Sequence, residues 1–516
     1  MVARAFVGGP SLTMDRGTVD AVVIEDGRIA AVGDRAVLNA FPHAAVEDLR
    51  GRTLCPGFID AHYHLSIAAL HPRWADLRAV ANTDELRAAL VALAAREPGA
   101  PWVRGAGWNE THTRFVPHRR DLDAMALGRP VMVAHYSLHQ GVVDSAALDE
   151  LGIGRGTPDP PGGQIGRDPD GTPNGMLVER AWSEAHARSM APYTDPDRWA
   201  EQIEAAAGAL VRDGITAVHD AACPPGAEAA YRRLAAAGRL PISVLMMPHP
   251  AALLGPLDAQ RLDGPPTGDG DESVRVGAVK LFADGGVAPA MDVRVGGHEL
   301  KGGMLFEGLE EQVLRVASHG FRVAVHAIGN VGLDAAIGAF TACDARHPGT
   351  DHRFRVEHAC LASPAQLDRL AGLGGVAVVQ PGFVHHLGEA VENMETEGAI
   401  WLPFADVLDS GAVMAASSDS PCAFHEPLLT SARGANRRTG SGHVLDRGQA
   451  VSYVDWLRAY TAGAAFAGGQ EDERGRLAPG LRADLVVLDG PLDADHPPTV
   501  AQTWVGGRLV YAAASA

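Results

Sequence analysis

In the run PGFIDAHYHL, over 56–65, His62 and His64 stand two apart at the end of an apolar stretch. If that stretch is a strand, its period of two turns both imidazoles to one face. Two neutral imidazoles aimed at one point make half of a metal site. A lone histidine on such a face is more often structural, but a pair closing an apolar strand reads as ligands. Further along, VKLF places Lys280 inside an apolar run, where lysine is almost never buried unpaired. It either snorkels to solvent or serves the same site. VAVH ends in His326, RVEH in His358 and AASSD in Asp419.

These residues need elements that bring them together. Short apolar runs over 57–62, 215–220, 242–247, 276–283, 322–326, 354–358, 376–380 and 413–418 alternate with Ala/Leu/Arg-rich helical stretches, the pattern of a parallel sheet. Eight such runs are the number that closes a (β/α)8 barrel, whose catalytic face is the C-terminal end of its strands. His62, His64, Lys280, His326, His358 and Asp419 all fall at that end. The predicted fold is therefore α/β, with a barrel over 55–474 and a large insertion at about 65–214 covering its mouth. Both chain ends read differently. AVVI, then Glu25-Asp26-Gly27-Arg28, then IAAVG is a hairpin signal, and ADLVVLD and TWVGGRLVY repeat that grammar. A small composite β-sandwich formed from 1–54 and 475–516 is expected.

Composition narrows the class. The 516 residues carry 44 Lys+Arg against 63 Asp+Glu, a net charge of −19, and 46% are hydrophobic. That is a globular balance, and so negative a chain lacks the clustered cations a nucleic-acid surface needs. Five scattered cysteines with no CxxC pair suit reduced thiols and no disulfide framework. The first residues lack the apolar core of a secretory signal, and no run approaches the roughly 18 apolar residues of a membrane span. A cytoplasmic enzyme is expected, acting on a small molecule with no nucleic-acid or membrane partner; a homodimer is the candidate assembly.

PGFIDAHYHL, VKLFADGG, VAVHAIGN, RVEHA, AASSDSP and the late ADLVVLD together resemble the amidohydrolase superfamily. Within it, the chain is most similar to the YtcJ-like and N-substituted-formamide-deformylase-like metal-dependent hydrolases. The resemblance spans essentially the whole chain and implies the same barrel and β-sandwich. Residue by residue, it makes His62, His64, His326 and His358 metal ligands, and Asp419 a ligand and proton carrier. Lys280 takes the position of a lysine that many relatives carboxylate with CO2 to bridge two metals. Zinc is the first choice for one or two ions, with manganese or iron also fitting. The implied mechanism is attack by metal-bound hydroxide, with Asp419 as general base and then acid, cleaving an amide, N-formyl or cyclic amide bond.

The resemblance also narrows the reaction. Relatives that deaminate heterocycles carry a glutamate three residues after the fifth-strand histidine, where this chain has Gly329. The same metal site could instead open an ester or lactone, or belong to a biosynthetic enzyme or a non-hydrolytic binding protein. Trp108 and His139 match positions of a substrate-facing aromatic and a carbonyl donor. His219 is open to a pocket or a structural role, and His385, beside His386, to a substrate contact or a solvated loop. Asp144 replaces an asparagine of the relatives. Glu357, by alternation, points away from the site and reads as structural.

Overall fold

The computed structural model describes residues 3–250, 252, 254–394 and 396–514, the side chain of His112 excepted. Its parallel strands are short, apolar and buried along their length, as strands covered on both faces must be. Four pair in the spatial order Val274–Val276, Ser243–Pro248, Ile215–Cys223, Phe58–Tyr63. Five more pair in the order Val279–Phe282, Val323–Ala327, Arg355–His358, Val376–Val379, Val413–Ala416. The strand predicted over 276–283 is thus divided between two sheets. Gly277 N–H donates to Met246 O at 2.7 Å on one side, and Val279 N–H to Arg322 O at 2.9 Å on the other. The opposite margins also meet: Asp419 N–H donates to His62 O at 2.8 Å and His64 N–H to Ser420 O at 2.9 Å. Helices alternate with these strands. One, Pro364–Gly372, starts at a capping box in which Ser363 and Gln366 satisfy each other's backbone N–H groups.

A third sheet lies within 65–214, in the order Gly163–Arg167, Pro173–Glu179, Gln140–Val143, Val131–His135, Val103–Trp108, Ala75–Asp76. It packs its own apolar cluster around Leu86, Leu90, Val133 and Val142. Another sheet draws on both ends of the chain, because Leu485–Asp489 pairs with Thr53–Pro56 and with Thr499–Val505. Its N-terminal hairpin, Thr18–Glu25 with Arg28–Gly33, turns at Asp26 (φ +48°) and Gly27 (φ +81°), left-handed positions that Asp-Gly tolerates. Phe6, Val22, Leu485 and Trp504 form the core of this sheet. Among the described residues no helix is long and apolar enough to cross a membrane.

Candidate metal centre

The strand ends converge on a cavity of about 400 Å³, lined by His62, His64, Lys280, His326, His358 and Asp419. His62 Nε2 and His64 Nε2 lie 3.3 Å and 3.0 Å from Asp419 Oδ1. One ligand atom from each of these three residues falls within 4.8 Å of the others. The His358 ring lies 4.9 Å from that of His62 and 4.6 Å from that of His326. Two imidazoles are held from behind. Glu357 Oε2 lies 2.5 Å from His62 Nδ1, and Gln380 Oε1 lies 3.0 Å from His358 Nδ1. Each contact occupies Nδ1 and leaves Nε2 for the cavity, the outer support that metal-binding histidines use.

Glu357 therefore departs from its predicted place. Its buried carboxylate joins His62 to Arg355, whose Nε donates to Oε1 at 2.9 Å and whose Nη2 donates to Ala61 O at 2.7 Å. Alternation fails here because the backbone is not extended throughout: His358 has φ +79° and Ala359 φ +46°. Asp419 is left-handed too, at φ +60°. Such conformations cost about 1–3 kcal/mol each in side-chain-bearing residues and persist where the surroundings over-determine them.

Burial sets the protonation of the cluster. It pushes His64 and His326 below their ordinary range and His358 down to about 3, so these rings are neutral and their lone pairs free. Burial also lowers Lys280 to about 8. For Asp419 burial opposes the charge, but its close contacts with the His62 and His64 rings outweigh it and hold the carboxyl well below its usual value. Lys280 Nζ and His326 Nε2 are buried without a hydrogen-bond partner among the described residues. Buried polar atoms are costly when nothing engages them. Neutral imidazoles, an ionised carboxylate and two nitrogens without hydrogen-bond partners around one space are a donor set that fits a divalent cation.

The substrate-side residues divide. His139 lines the cavity, its ring 5.2 Å from that of His326. Burial opposes a charge on His139, but the Glu179 carboxylate outweighs it and raises the ring above its ordinary value. Trp108 instead packs behind His135, with ring centroids 5.1 Å apart, and its Nε1–H donates to Phe115 O at 2.6 Å. A register shift at Gly107, φ +94°, turns it there. His219 is also away from the cavity lining: it sits under Arg355, whose Nη1 lies 3.1 Å from His219 Nδ1. His386 lines the cavity and His385 does not. Asp144 caps the helix Ser145–Leu151 by accepting from Ala147 N–H. Glu179 went unnoticed as a functional residue, although the burial alternation of Pro173–Glu179 places it on the inward face.

A sequence model of the amidohydrolase family matches residues 45–511. The chain belongs to that family. It is 34% identical to N-substituted formamide deformylase of Arthrobacter pascens, with 95% of this chain and 94% of the relative aligned. It is 28% identical to YtcJ of Bacillus subtilis, with 95% and 96% aligned. Among solved structures, an uncharacterized metal-dependent hydrolase from Pyrococcus horikoshii superposes with a TM-score of 0.75 at 25% identity, covering 96% of this chain and 99% of that one. This amidohydrolase is a metal-dependent hydrolase acting on C–N bonds other than peptide bonds.

Proposed function

We propose that this amidohydrolase cleaves a small neutral amide, with N-substituted formamides the first class to test, at zinc held by His62, His64, His326, His358 and Asp419. Lys280 joins the set as a carbamate. The observation that carries the reading is the meeting of His62, His64 and Asp419 within 4.8 Å, beside Lys280 Nζ and His326 Nε2, which have no hydrogen-bond partner among the described residues. A buried amine lowered to about 8 suits reaction with CO2, because far more of it is uncharged and nucleophilic near neutral pH than of an ordinary lysine. The formamide class is favoured by the activity of the 34% identical relative, an N-substituted formamide deformylase. The two parallel sheets are read as one (β/α)8 barrel, supported by the hydrogen bonds at both of their margins. The sheet drawn from both chain ends is read as a composite β-sandwich. Five free, buried cysteines suit a reducing, cytoplasmic setting.

When bound, the ion supplies Lewis acidity to water and to the amide carbonyl. Asp419, between His62 and His64, takes a proton from the attacking water and returns it to the leaving nitrogen, so that acid and amine are released. His139 presents Nε2 to the carbonyl oxygen and donates to it when that nitrogen is protonated. Glu357 and Gln380 hold the Nδ1 sides of His62 and His358, keeping their Nε2 atoms turned inward.

Metal analysis combined with a panel of N-formyl amines, N-acyl amines, cyclic amides and matched esters tests the reading. We expect turnover of amides by metal-replete protein. His64→Ala should lose both metal and activity with the fold retained by circular dichroism. Undiminished turnover in His64→Ala, or in stripped protein, would overturn the assignment, and turnover confined to esters would replace the amide class.

A further inference from the structure

Glu179 ends the strand Pro173–Glu179 and precedes the helix Arg180–Met190. Its side chain makes no capping hydrogen bond to that helix, and its backbone stands at φ +49°, ψ −118°, where a side-chain-bearing residue is strained. The carboxylate goes elsewhere. Its Oε2 lies 2.7 Å from His139 Nδ1, and its Oε1 accepts from Val287 N–H at 3.1 Å. Glu179 N–H donates in turn to His139 O at 2.8 Å, so backbone and side chain lock the same pair. Gly286 N–H also stands 3.2 Å from His139 Nδ1. A ring nitrogen cannot donate and accept at once, and the shorter contact to an acceptor-only carboxylate assigns the proton to Nδ1.

The two glycines after the Lys280 strand fit around this pair. A β-carbon on Gly285 would fall 2.6 Å from Glu179 Oε1, and one on Gly286 would fall 2.4 Å from His139 Cδ2. The Glu179 side chain has no exposed surface and His139 keeps 11%, so the imidazole alone reaches the cavity.

We propose that Glu179 is a positioning residue for the hydrolysis: its carboxylate fixes the His139 ring through Nδ1 and so presents Nε2 to the substrate. The strained backbone is what lets a strand-ending carboxylate turn back onto a histidine forty residues earlier in the chain. This inference rests on the amide-hydrolase reading for its kinetic arm only.

The test compares kcat and KM for Glu179→Gln, Glu179→Asp, His139→Asn and the Glu179→Gln/His139→Asn double variant. The substrate is the N-substituted formamide that the wild type hydrolyses fastest, and metal content is measured on each preparation. In parallel, long-range proton–nitrogen spectra of zinc-loaded protein with labelled histidine report the His139 tautomer, assigned by its loss in His139→Asn. We expect Glu179→Gln to lose about 10- to 100-fold in kcat, with metal content unchanged and the single Nδ1–H tautomer replaced by a mixture. Glu179→Asp should recover part of the loss, and the double variant should be no slower than His139→Asn. If Glu179→Gln does not fold, Gly286→Ala reaches the same ring without touching a charge, and it should reproduce both the kinetic loss and the spectral change. Wild-type kcat with an unchanged tautomer in the variant examined would overturn the proposal, as would losses that multiply in the double variant. A wild type that turns over no amide would sink the functional reading, while the spectra would still decide whether Glu179 orients His139.

Discussion

Glu357 does two jobs that mutation can separate. It neutralises Arg355, which is 1% exposed, and it holds His62 Nδ1 at 2.5 Å. Burial opposes its charge, but Arg355 and then His62 hold the carboxyl far below the usual range, so it is ionised at neutral pH. Replacing Glu357 with alanine leaves a guanidinium in the core with only Ala61 O, His219 Nδ1 and Ala467 O around it. Breaking a buried pair this way costs about 3–5 kcal/mol, a large share of a total stability of about 5–15 kcal/mol. Glu357→Gln keeps an acceptor for Arg355 Nε and should fall at the lower end. Replacing both members by methionine removes the stranded charge, an exchange that is often neutral or stabilising by about 1–4 kcal/mol. Stability should therefore return in Arg355→Met/Glu357→Met. Metal affinity should not, because His62 remains unheld; a loss of about 10- to 100-fold is expected for that outer support. Urea unfolding reads the first quantity, and zinc competition with a chromophoric chelator reads the second. Wild-type zinc affinity in the double methionine variant would refute the claim that Glu357 orients His62.

Asp220 supplies a pH test away from the cation site. Burial raises it to about 6, against the lowering effect of hydrogen bonds from Tyr231 and Ser66. Its folded pKa lies above the unfolded value, so its favourable contribution is complete below about pH 4 and is lost as pH rises through about 6. Asp220→Asn should match the wild type near pH 4 and be the more stable protein above pH 6, by up to about 3 kcal/mol; parallel urea stabilities from pH 4 to 8 would count against this. Chelating the metal should lower the melting temperature of the wild type, since ligand at about 100 times its Kd contributes about 2.7 kcal/mol, and His64→Ala should show no such shift by calorimetry. Zinc added to stripped protein in buffer purged of carbon dioxide should recover less activity than zinc added with bicarbonate, and equal recovery would argue against a carbamate on Lys280.

The strands were readable as buried apolar runs, and three of them hold or end in a residue that such a run does not tolerate without reason. Lys280 inside VKLF and the histidines closing VAVH and RVEH are mismatches of that kind, and all of them face the cavity. What local pattern could not supply was direction wherever the backbone leaves the extended region. Period-two logic sent Glu357 outward, and the left-handed His358 and Ala359 defeat it. The resemblance sent Trp108 toward substrate, and the bulge at Gly107 turns it behind His135. His219 stands near the end of the predicted run 215–220 as a ligand would, yet the strand continues to Cys223 and His219 serves Arg355, a partner 136 positions away that no pattern near 219 reveals. Glu179 was missed for the opposite reason. Alternation along Pro173–Glu179 does place it inside, but nothing local names His139 as its partner. Glu179, His358 and Asp419 all adopt positive φ beside the cavity. Left-handed residues occur elsewhere in the chain as well, at Met14, Arg50 and Arg437 among others, but at these three the departure from extended backbone aims a chemistry-bearing side chain, as expected if local strain is retained for that purpose.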